Sequence, residues 1–332
     1  MRIKTLFTLL LFPLSLLAEE KFSYIPQIHG TFRGRYELET ENMENRFQIR
    51  NARLSVNGFV APIIDYYIQF DACDRGKMRF LDAWGRLSFT KEFNVQVGQF
   101  RKPCGLDAFR SPADQVFANR SFIAKQVGNI RGVGGKVTYK PRFAPLTIEA
   151  GVFNKGTTDN QEAYAKSMSY AARIIFAKNG FTALGGWQTI VYDIVRVGLV
   201  DAALQYEYDR WHLEAEYMYK HYRHEESPDC HAYNAFVEYK MPVKMGVFNQ
   251  TSFLARFDGM TDHSDGISGD DLELDITDVA RNRITVGGTL SYVYKKVHAD
   301  IRLNYEKYLY HSDYTPTQGN RDKIVAELVV RF

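Results

Sequence analysis

The chain ends with the segment Ile324-Val325-Ala326-Glu327-Leu328-Val329-Val330-Arg331-Phe332. Every second residue from Ile324 to Phe332 is apolar, whereas Lys323, Glu327 and Arg331 have the other parity. Because neighbouring side chains of a β-strand point to opposite faces, the segment predicts a strand with one apolar face and one charged face. An edge strand of a soluble sheet and the closing strand of a membrane barrel both fit this pattern.

The N-terminal segment predicts a secretory signal peptide. Arg2 and Lys4 precede an apolar run from Leu6 to Leu17, and Ala18 is a small residue suited to cleavage. The run is shorter than the roughly 20 apolar residues that a transmembrane helix needs. We therefore expect a signal peptide over residues 1–18 and one exported domain over residues 19–332.

Composition favours a barrel in a membrane. The chain holds 42 basic and 39 acidic residues, together with 23 Phe and 21 Tyr. The near balance of charge argues against nucleic acid as a partner, and the aromatic content suits the girdles of an outer-membrane barrel. The three cysteines, Cys73, Cys104 and Cys230, leave at least one thiol unpaired.

Apolar and polar residues alternate along the whole chain and predict about sixteen strands. The predicted strands lie near residues 28–38, 50–60, 65–72, 81–89, 93–100, 133–140, 146–153, 168–177, 181–188, 197–208, 211–221, 232–240, 249–258, 284–294, 297–308 and 323–332. The alternation is weakest in the eighth and ninth of these segments.

The connections alternate in length. Short turns such as Lys178-Asn179-Gly180 and Met241-Pro242 separate long segments such as 101–132 and 259–283. Long external loops and short periplasmic turns are typical of outer-membrane barrels, and closure removes the strand edges that lipid cannot accommodate. The C-terminal strand also resembles the closing strand of those barrels, in which the terminal aromatic residue is part of the signal read by the insertion machinery. We therefore predict an all-β, transmembrane antiparallel β-barrel in a Gram-negative outer membrane.

The third external loop, residues 101–132, predicts a constriction loop folded into the lumen. Its apolar side chains favour burial; they are Leu106, Phe109, Val116, Phe117, Phe122 and Ile123. The barrel interior can bury them. The alternatives are a loop packed on top of the barrel or against a neighbouring subunit.

The same region carries a family resemblance. Val97-Gly98-Gln99-Phe100-Arg101-Lys102-Pro103-Cys104-Gly105-Leu106-Asp107, followed by Asn119-Arg120-Ser121, resembles a motif of the phosphate-selective porins O and P. Arg50-Asn51-Ala52-Arg53-Leu54 resembles the second strand of that family. The sequence departs from the family at Cys104, where an aromatic residue is usual, and at Asn51, which interrupts an arginine pair. The resemblance covers roughly residues 28–135 and implies a trimeric porin, without proving that phosphate is the solute.

Positive charge in the third loop predicts an anion path. Six basic residues, with only Asp107 and Asp114 between them, are the candidates for anion binding at the constriction: Arg101, Lys102, Arg110, Arg120, Lys125 and Arg131. Arginines on polar strand faces are candidates for the lumen wall, since each would cost roughly 2–4 kcal/mol facing lipid at midplane; they include Arg33, Arg35, Arg53 and Arg86. We expect a passive channel for small hydrophilic solutes that prefers anions.

Acidic residues leave an alternative open. Glu37, Asp65, Asp71 and Asp82 share the polar strand faces with these arginines. Internal salt bridges would neutralise the arginines locally and give a general, unselective porin.

Two functions other than a channel are alternatives for such a barrel. An outer-membrane enzyme is not expected, because the sequence has no nucleophile or metalloprotease motif. The other alternative is a structural or adhesive barrel with a blocked lumen. His221, His224, Cys230 and His231 could ligate a metal, although their spacing matches no structural zinc motif and a solvated loop is the alternative. We expect no cofactor, and as partners outer-membrane lipid, lipopolysaccharide and small anions.

Overall fold

The protein is a closed antiparallel barrel of sixteen strands, in which β1 pairs with β16. The computed structural model describes residues 23–128, 131–155, 164–192, 195–223, 227–266, 274–311 and 313–332. The predicted fold class is confirmed; the predicted signal peptide over residues 1–18 lies outside the described residues. Among the described residues, no helix is long and apolar enough to cross a membrane.

The strands follow one another around the barrel in sequence order. They are β1 (Gln27–Glu39), β2 (Asn45–Ala61), β3 (Ile64–Asp74), β4 (Lys77–Ser88), β5 (Phe93–Arg101), β6 (Arg131–Tyr139), β7 (Leu146–Phe153), β8 (Ser169–Lys178), β9 (Phe181–Val191), β10 (Arg196–Tyr208), β11 (Trp211–Tyr222), β12 (Cys230–Met245), β13 (Phe248–Met260), β14 (Arg281–Tyr294), β15 (Val297–Tyr310) and β16 (Lys323–Arg331). Segments 168–177 and 181–188, the weakest by pattern, correspond to β8 and β9.

One predicted turn is wrong. Met241-Pro242 lies inside β12, and the chain reverses instead after Met245, at Gly246-Val247. The register between β12 and β13 shifts between Pro242 and Met245. Proline lacks the amide proton that a regular ladder needs, so a bulge is a place where a strand can accept it.

The two faces of the wall differ as a membrane barrel requires. Phe32, Phe253 and Leu303 are exposed on the outer face. Arg33, next to Phe32 in β1, and Arg302, next to Leu303 in β15, are buried inside. A strand that faces lipid on one side and a polar lumen on the other has this alternation.

The barrel closes at the chain terminus. The Gly30 and Phe332 amides each donate to the other residue's carbonyl, both at 3.1 Å. A Cβ atom at Gly30 would lie 2.3 Å from the Phe332 ring, so a side chain at position 30 would displace this ring.

Candidate functional site

The third loop, residues 102–128, contacts side chains of the inner wall. The Leu106 amide donates to Glu216 of β11 at 2.6 Å, and the Phe122 amide donates to Asp258 of β13 at 3.1 Å. The Ala118 amide donates to Asn304 of β15 at 2.7 Å. Since all three acceptors belong to the inner face, their spread around the wall requires the loop to run through the barrel interior.

Arginines of the wall also hold the loop. Here the wall donates the hydrogen bonds, from the guanidinium groups to main-chain carbonyl oxygens of the loop. Arg33 binds Ala118 at 2.6 Å, Arg256 binds Asn119 at 2.8 Å, Arg283 binds Arg120 at 2.7 Å and Arg302 binds Gln115 at 2.7 Å. The sequence reading did not single out Arg283, although its inward parity on β14 was a usable signal. These guanidinium groups are loop anchors.

An apolar cluster fills one side of the external half of the lumen. Phe122, Ile123 and Val127 of the loop pack with inner-face side chains of β10–β13 and β15. These wall residues include Val197, Leu199, Met218, Tyr222, Ala232, Met260 and Tyr308. Because the cluster is buried, this side offers no passage for a hydrated ion.

Asp107 ties the two ends of the loop together. Its carboxylate accepts hydrogen bonds from Arg110 at 2.7 Å and from the Ser121 hydroxyl at 2.7 Å. Burial alone would raise the pKa of Asp107, but Arg110, Arg120 and Ser121 lower it to about 2. Asp107 is therefore a permanent anion at neutral pH, and Arg110, which also binds Glu214, is a compensated cation.

Most candidate arginines of the wall have a carboxylate partner. Glu327 accepts from Arg33 at 2.7 Å, and Arg35 lies 2.9 Å from Glu37. The remaining pairs are Arg53 with Asp71 at 3.3 Å, Arg86 with Asp65 at 2.7 Å and Arg131 with Asp82 at 3.1 Å. The internal salt bridges considered from the sequence are thus present on β1–β6.

Four candidates of the third loop have no carboxylate within 4.0 Å among the described residues. Arg101 donates to the Arg110 carbonyl, and Arg120 donates to the Asp107 carbonyl at 2.7 Å. Lys102 is buried beside the Phe153 ring, at 5.6 Å from its centroid, and Lys125 is exposed to the lumen. Burial lowers the pKa of Arg120 to about 10 even though Asp107 raises it, so Arg120 is charged at neutral pH.

Two cavities lie along the β1–β5 wall on opposite sides of the loop. The outer basic cavity, about 260 Å³, has seven basic residues and no acidic residue in its lining: Arg35, Arg46, Arg50, Arg75, Arg120, Lys125 and Lys323. The inner basic cavity, about 860 Å³, opens at the periplasmic end and is lined by Arg53, Arg86, Lys296, Arg331 and Asp65 among others. Basic side chains therefore line this wall on both sides of the loop, and most of them are paired with carboxylates.

A third cavity, the side cavity, lies under the loop at the periplasmic end of β10–β15. Its volume is about 590 Å³, and its lining includes Leu106, His212, Glu238 and Asp300. It shares Ala113, His298 and Arg331 with the inner basic cavity, so both open from one vestibule.

The candidate metal ligands are not brought together. Cys230 is buried inside, whereas His221 and His231 are exposed and bind Asp229 at 2.8 Å and Tyr217 at 2.7 Å. His224 lies outside the described residues, and within the described part of the chain no metal-binding group of three such side chains is found.

Comparisons with known proteins agree with this architecture. The family profile described as phosphate-selective porin O and P matches residues 24–185. An OmpF of Salmonella typhi in complex with daunomycin has 12% identity and a TM-score of 0.65, with 92% of this chain and 97% of that chain covered. The outer membrane channel DcaP of Acinetobacter baumannii has 12% identity and a TM-score of 0.61, with 92% and 97% covered.

A trimer form of OmpT, an outer membrane protein of Vibrio cholerae, has 11% identity and a TM-score of 0.59, with 93% of this chain and 98% of that chain covered. Identities this low show the fold alone. No curated protein sequence matches the chain.

The family match and the barrel together support an outer-membrane channel rather than an enzyme. By its match over residues 24–185, the chain belongs to the phosphate-selective porin O and P family of outer-membrane porins.

Proposed function

We propose that this porin conducts small solutes passively and prefers anions, with the third loop as its constriction and the β1–β5 wall as its path. The observation that carries the proposal is the lining of the outer basic cavity, which holds seven basic residues and no acidic one. Five of the seven pair with carboxylates outside the lining, and among the described residues Arg120 and Lys125 have no such partner. The apolar cluster closes the opposite side, so an entering ion passes the basic side chains.

The chemistry suits a transient anion site. Arg120 and Lys125 face the outer basic cavity, and neither has a carboxylate within 4.0 Å among the described residues. Arg120 is charged at neutral pH, whereas burial lowers the pKa of Lys125 to about 7, so Lys125 supplies a partial positive charge. Both side chains can donate hydrogen bonds to an entering anion. Guanidinium groups can pair with phosphate or carboxylate through two parallel hydrogen bonds. Beyond the loop, the paired arginines of the inner basic cavity hold the anion less strongly, which favours release toward the periplasm.

A general, unselective porin is the second candidate, and the paired wall arginines favour it. Arg53, Arg86 and Arg131 each lie opposite an aspartate. If those pairs set the local electrostatic potential, cations and anions would pass alike. Salt at physiological concentration would also screen the charges of the wall beyond about 8–10 Å.

Reversal potentials in a KCl gradient across a planar bilayer distinguish the two. We expect chloride selectivity, with phosphate reducing the chloride current, and a clear shift toward zero in Lys125→Gln. Lys178→Gln, at the β8–β9 turn, is the matched control and should leave the potential unchanged. An unselective wild-type channel that is indifferent to phosphate would instead establish the general porin.

We also propose a homotrimer embedded in outer-membrane lipid and lipopolysaccharide. The resemblance and the trimer form of the Vibrio cholerae protein support it. Chemical cross-linking of unboiled, detergent-extracted protein should give a threefold mass, and a monomer under mild extraction would contradict the proposal.

A further inference from the structure

We propose that the side cavity binds small neutral polyhydroxylated solutes, with monosaccharides as the simplest case. This site lies beside the proposed anion path and shares its periplasmic vestibule. The inference rests on a group of inner-face residues, the β13–β15 patch, defined as Gln250, Ser252, Thr289, Ser291 and Asp300.

Strand pairing brings the patch together. Ser291 of β14 pairs with Gln250 of β13 and with Asp300 of β15, and Thr289 pairs with Ser252. Directly opposed residues have Cβ atoms about 5 Å apart, and residues two positions along a strand lie about 7 Å apart. The patch therefore forms two adjacent rows of side chains. The distance between the rows is comparable to the width of a six-membered sugar ring.

The side chains of the patch are uncommitted. None of the five makes a side-chain hydrogen bond or an ion pair to another described residue, whereas Arg302 next to them is bonded to Glu327 and to the loop. Asp300 is only 7% exposed and borders the cavity, and the buried Nε of Arg302 also lacks a partner. The Arg302 Nε is a buried donor that needs a partner, and the side chains of the patch are available to bind a ligand or water in the cavity.

The chemistry fits hydroxyl groups. Serine, threonine and glutamine side chains both donate and accept hydrogen bonds, as a sugar hydroxyl does, and the Asp300 carboxylate can accept from two of them. Leu106, Phe109 and Val116 of the loop also line the cavity and offer an apolar surface. A pyranose ring has a polar edge and an apolar face, which matches a polar wall opposite an apolar roof.

Electrostatics disfavours an anion here. Arg110, Lys240, Arg302 and Arg331 are all paired with carboxylates. Among the described residues, Asp300 has no ion-pair partner, and Glu207 has only His212, at 3.8 Å. The lining holds four acidic and four basic residues, so the side cavity lacks the excess of positive charge found in the outer basic cavity.

Two measurements test the proposal on the full mature protein. In detergent, isothermal titration with glucose should show saturable binding that is about tenfold weaker in Asp300→Asn and in the Gln250→Ala/Ser291→Ala double variant. In a planar bilayer, glucose should add blocking events, more from the side of the short turns, without shifting the reversal potential.

Ser55→Ala/Asn57→Ala, in the inner basic cavity, is the matched control and should bind glucose as wild type does. Heat-modifiable gel migration verifies that each variant is folded. Absence of saturable glucose binding, equal binding by folded patch variants, or binding only of an organic amine such as putrescine would overturn the proposal. None of these results affects the anion path, which the reversal potential tests by itself.

Discussion

The lumen arginines differ in what lies opposite their guanidinium groups, and this decides what each can do. Arg110 bridges Asp107 and Glu214 and works as part of the loop's attachment. Arg120 bonds only to carbonyl oxygens and has no carboxylate within 4.0 Å among the described residues, although Asp107 acts on it from a greater distance. We therefore propose different roles for the two arginines of the loop: Arg110 anchors it, and Arg120 attracts solute.

Sequence alternation identified the side chains that point inward but not their partners. Arg53 and Asp71 lie directly opposite on β2 and β3, and this pair follows once the hairpin register is known. Arg131 instead reaches Asp82 across the intervening strand β5. Such a contact depends on side-chain length and wall curvature, which no single-strand pattern contains.

The Asp107 anchor should survive mild acid. The pKa of Asp107 is lowered to about 2 in the folded protein, against about 3.9 for a free aspartate. The stabilising effect of the ionised carboxylate is complete at pH values above the pKa of Asp107 in the unfolded chain. It is lost only as the pH falls through the pKa of Asp107 in the folded protein. Single-channel noise should therefore be equal at pH 7 and pH 5, and a rise in noise between them would contradict this account.

Asp107→Asn should release the loop at all pH values. Removing one member of a buried ion pair costs roughly 3–5 kcal/mol, because Arg110 and Ser121 lose their shared acceptor. We expect flickering current at pH 7 in planar bilayers. Asp114→Asn is the control, since the side chain of Asp114 is 63% exposed; equal noise in both variants would refute the assigned role of Asp107.

At the scale of elements, the third loop, which we propose as the constriction, is attached to much of the wall. Its main-chain carbonyl and amide groups bond to side chains of eight strands, β1, β5, β8, β11, β13, β14, β15 and β16. Of the six apolar residues whose burial was predicted, Phe122 and Ile123 lie in the apolar cluster. Phe117 is buried against Phe236 and Leu254, whereas the other three are only partly buried: Leu106, Phe109 and Val116. The side on which Phe122 and Ile123 pack could not be predicted, because Met218, Leu199 and Val197 stand at inward positions that alternation alone assigns to a polar lumen.

Phe122→Ala should loosen this packing. Phe122 is 1% exposed and lies between Tyr308 and the guanidinium of Arg283. Truncating a buried phenylalanine costs about 3–5 kcal/mol. We expect higher and noisier conductance, with weaker anion preference as a second path opens. Phe253→Ala, on the lipid-facing side, should leave the channel unchanged; identical conductance in both variants would argue against the cluster as a seal.

For the whole molecule, the lengths of the strands and their alternation of apolar and polar residues were sufficient to predict the barrel fold from the sequence. The turn predicted at Met241-Pro242 was wrong because proline there occupies a bulge in a strand that continues to Met245. The three cavities were not predictable, since each is bounded by residues from the loop and from several strands at once.

Gly30→Leu should impair assembly. Any side chain at position 30 meets the Phe332 ring, whereas a Cβ at Gly85 meets nothing within 4 Å. We expect a smaller folded fraction in heat-modifiable gel assays and slower refolding into detergent, with normal conductance in the molecules that do fold. Gly85→Leu is the matched control. Equal folded fractions would show that the seam does not depend on glycine.

The Gly30–Phe332 seam also has a consequence for quality control. Before closure, β16 presents a free edge and a terminal aromatic ring, the features that the resemblance connects with insertion. After closure, the β16 main chain is bonded to β1, and the ring lies over Gly30. The finished barrel therefore has no unpaired edge between β1 and β16, so a factor that recognises free strand edges would find none at this seam.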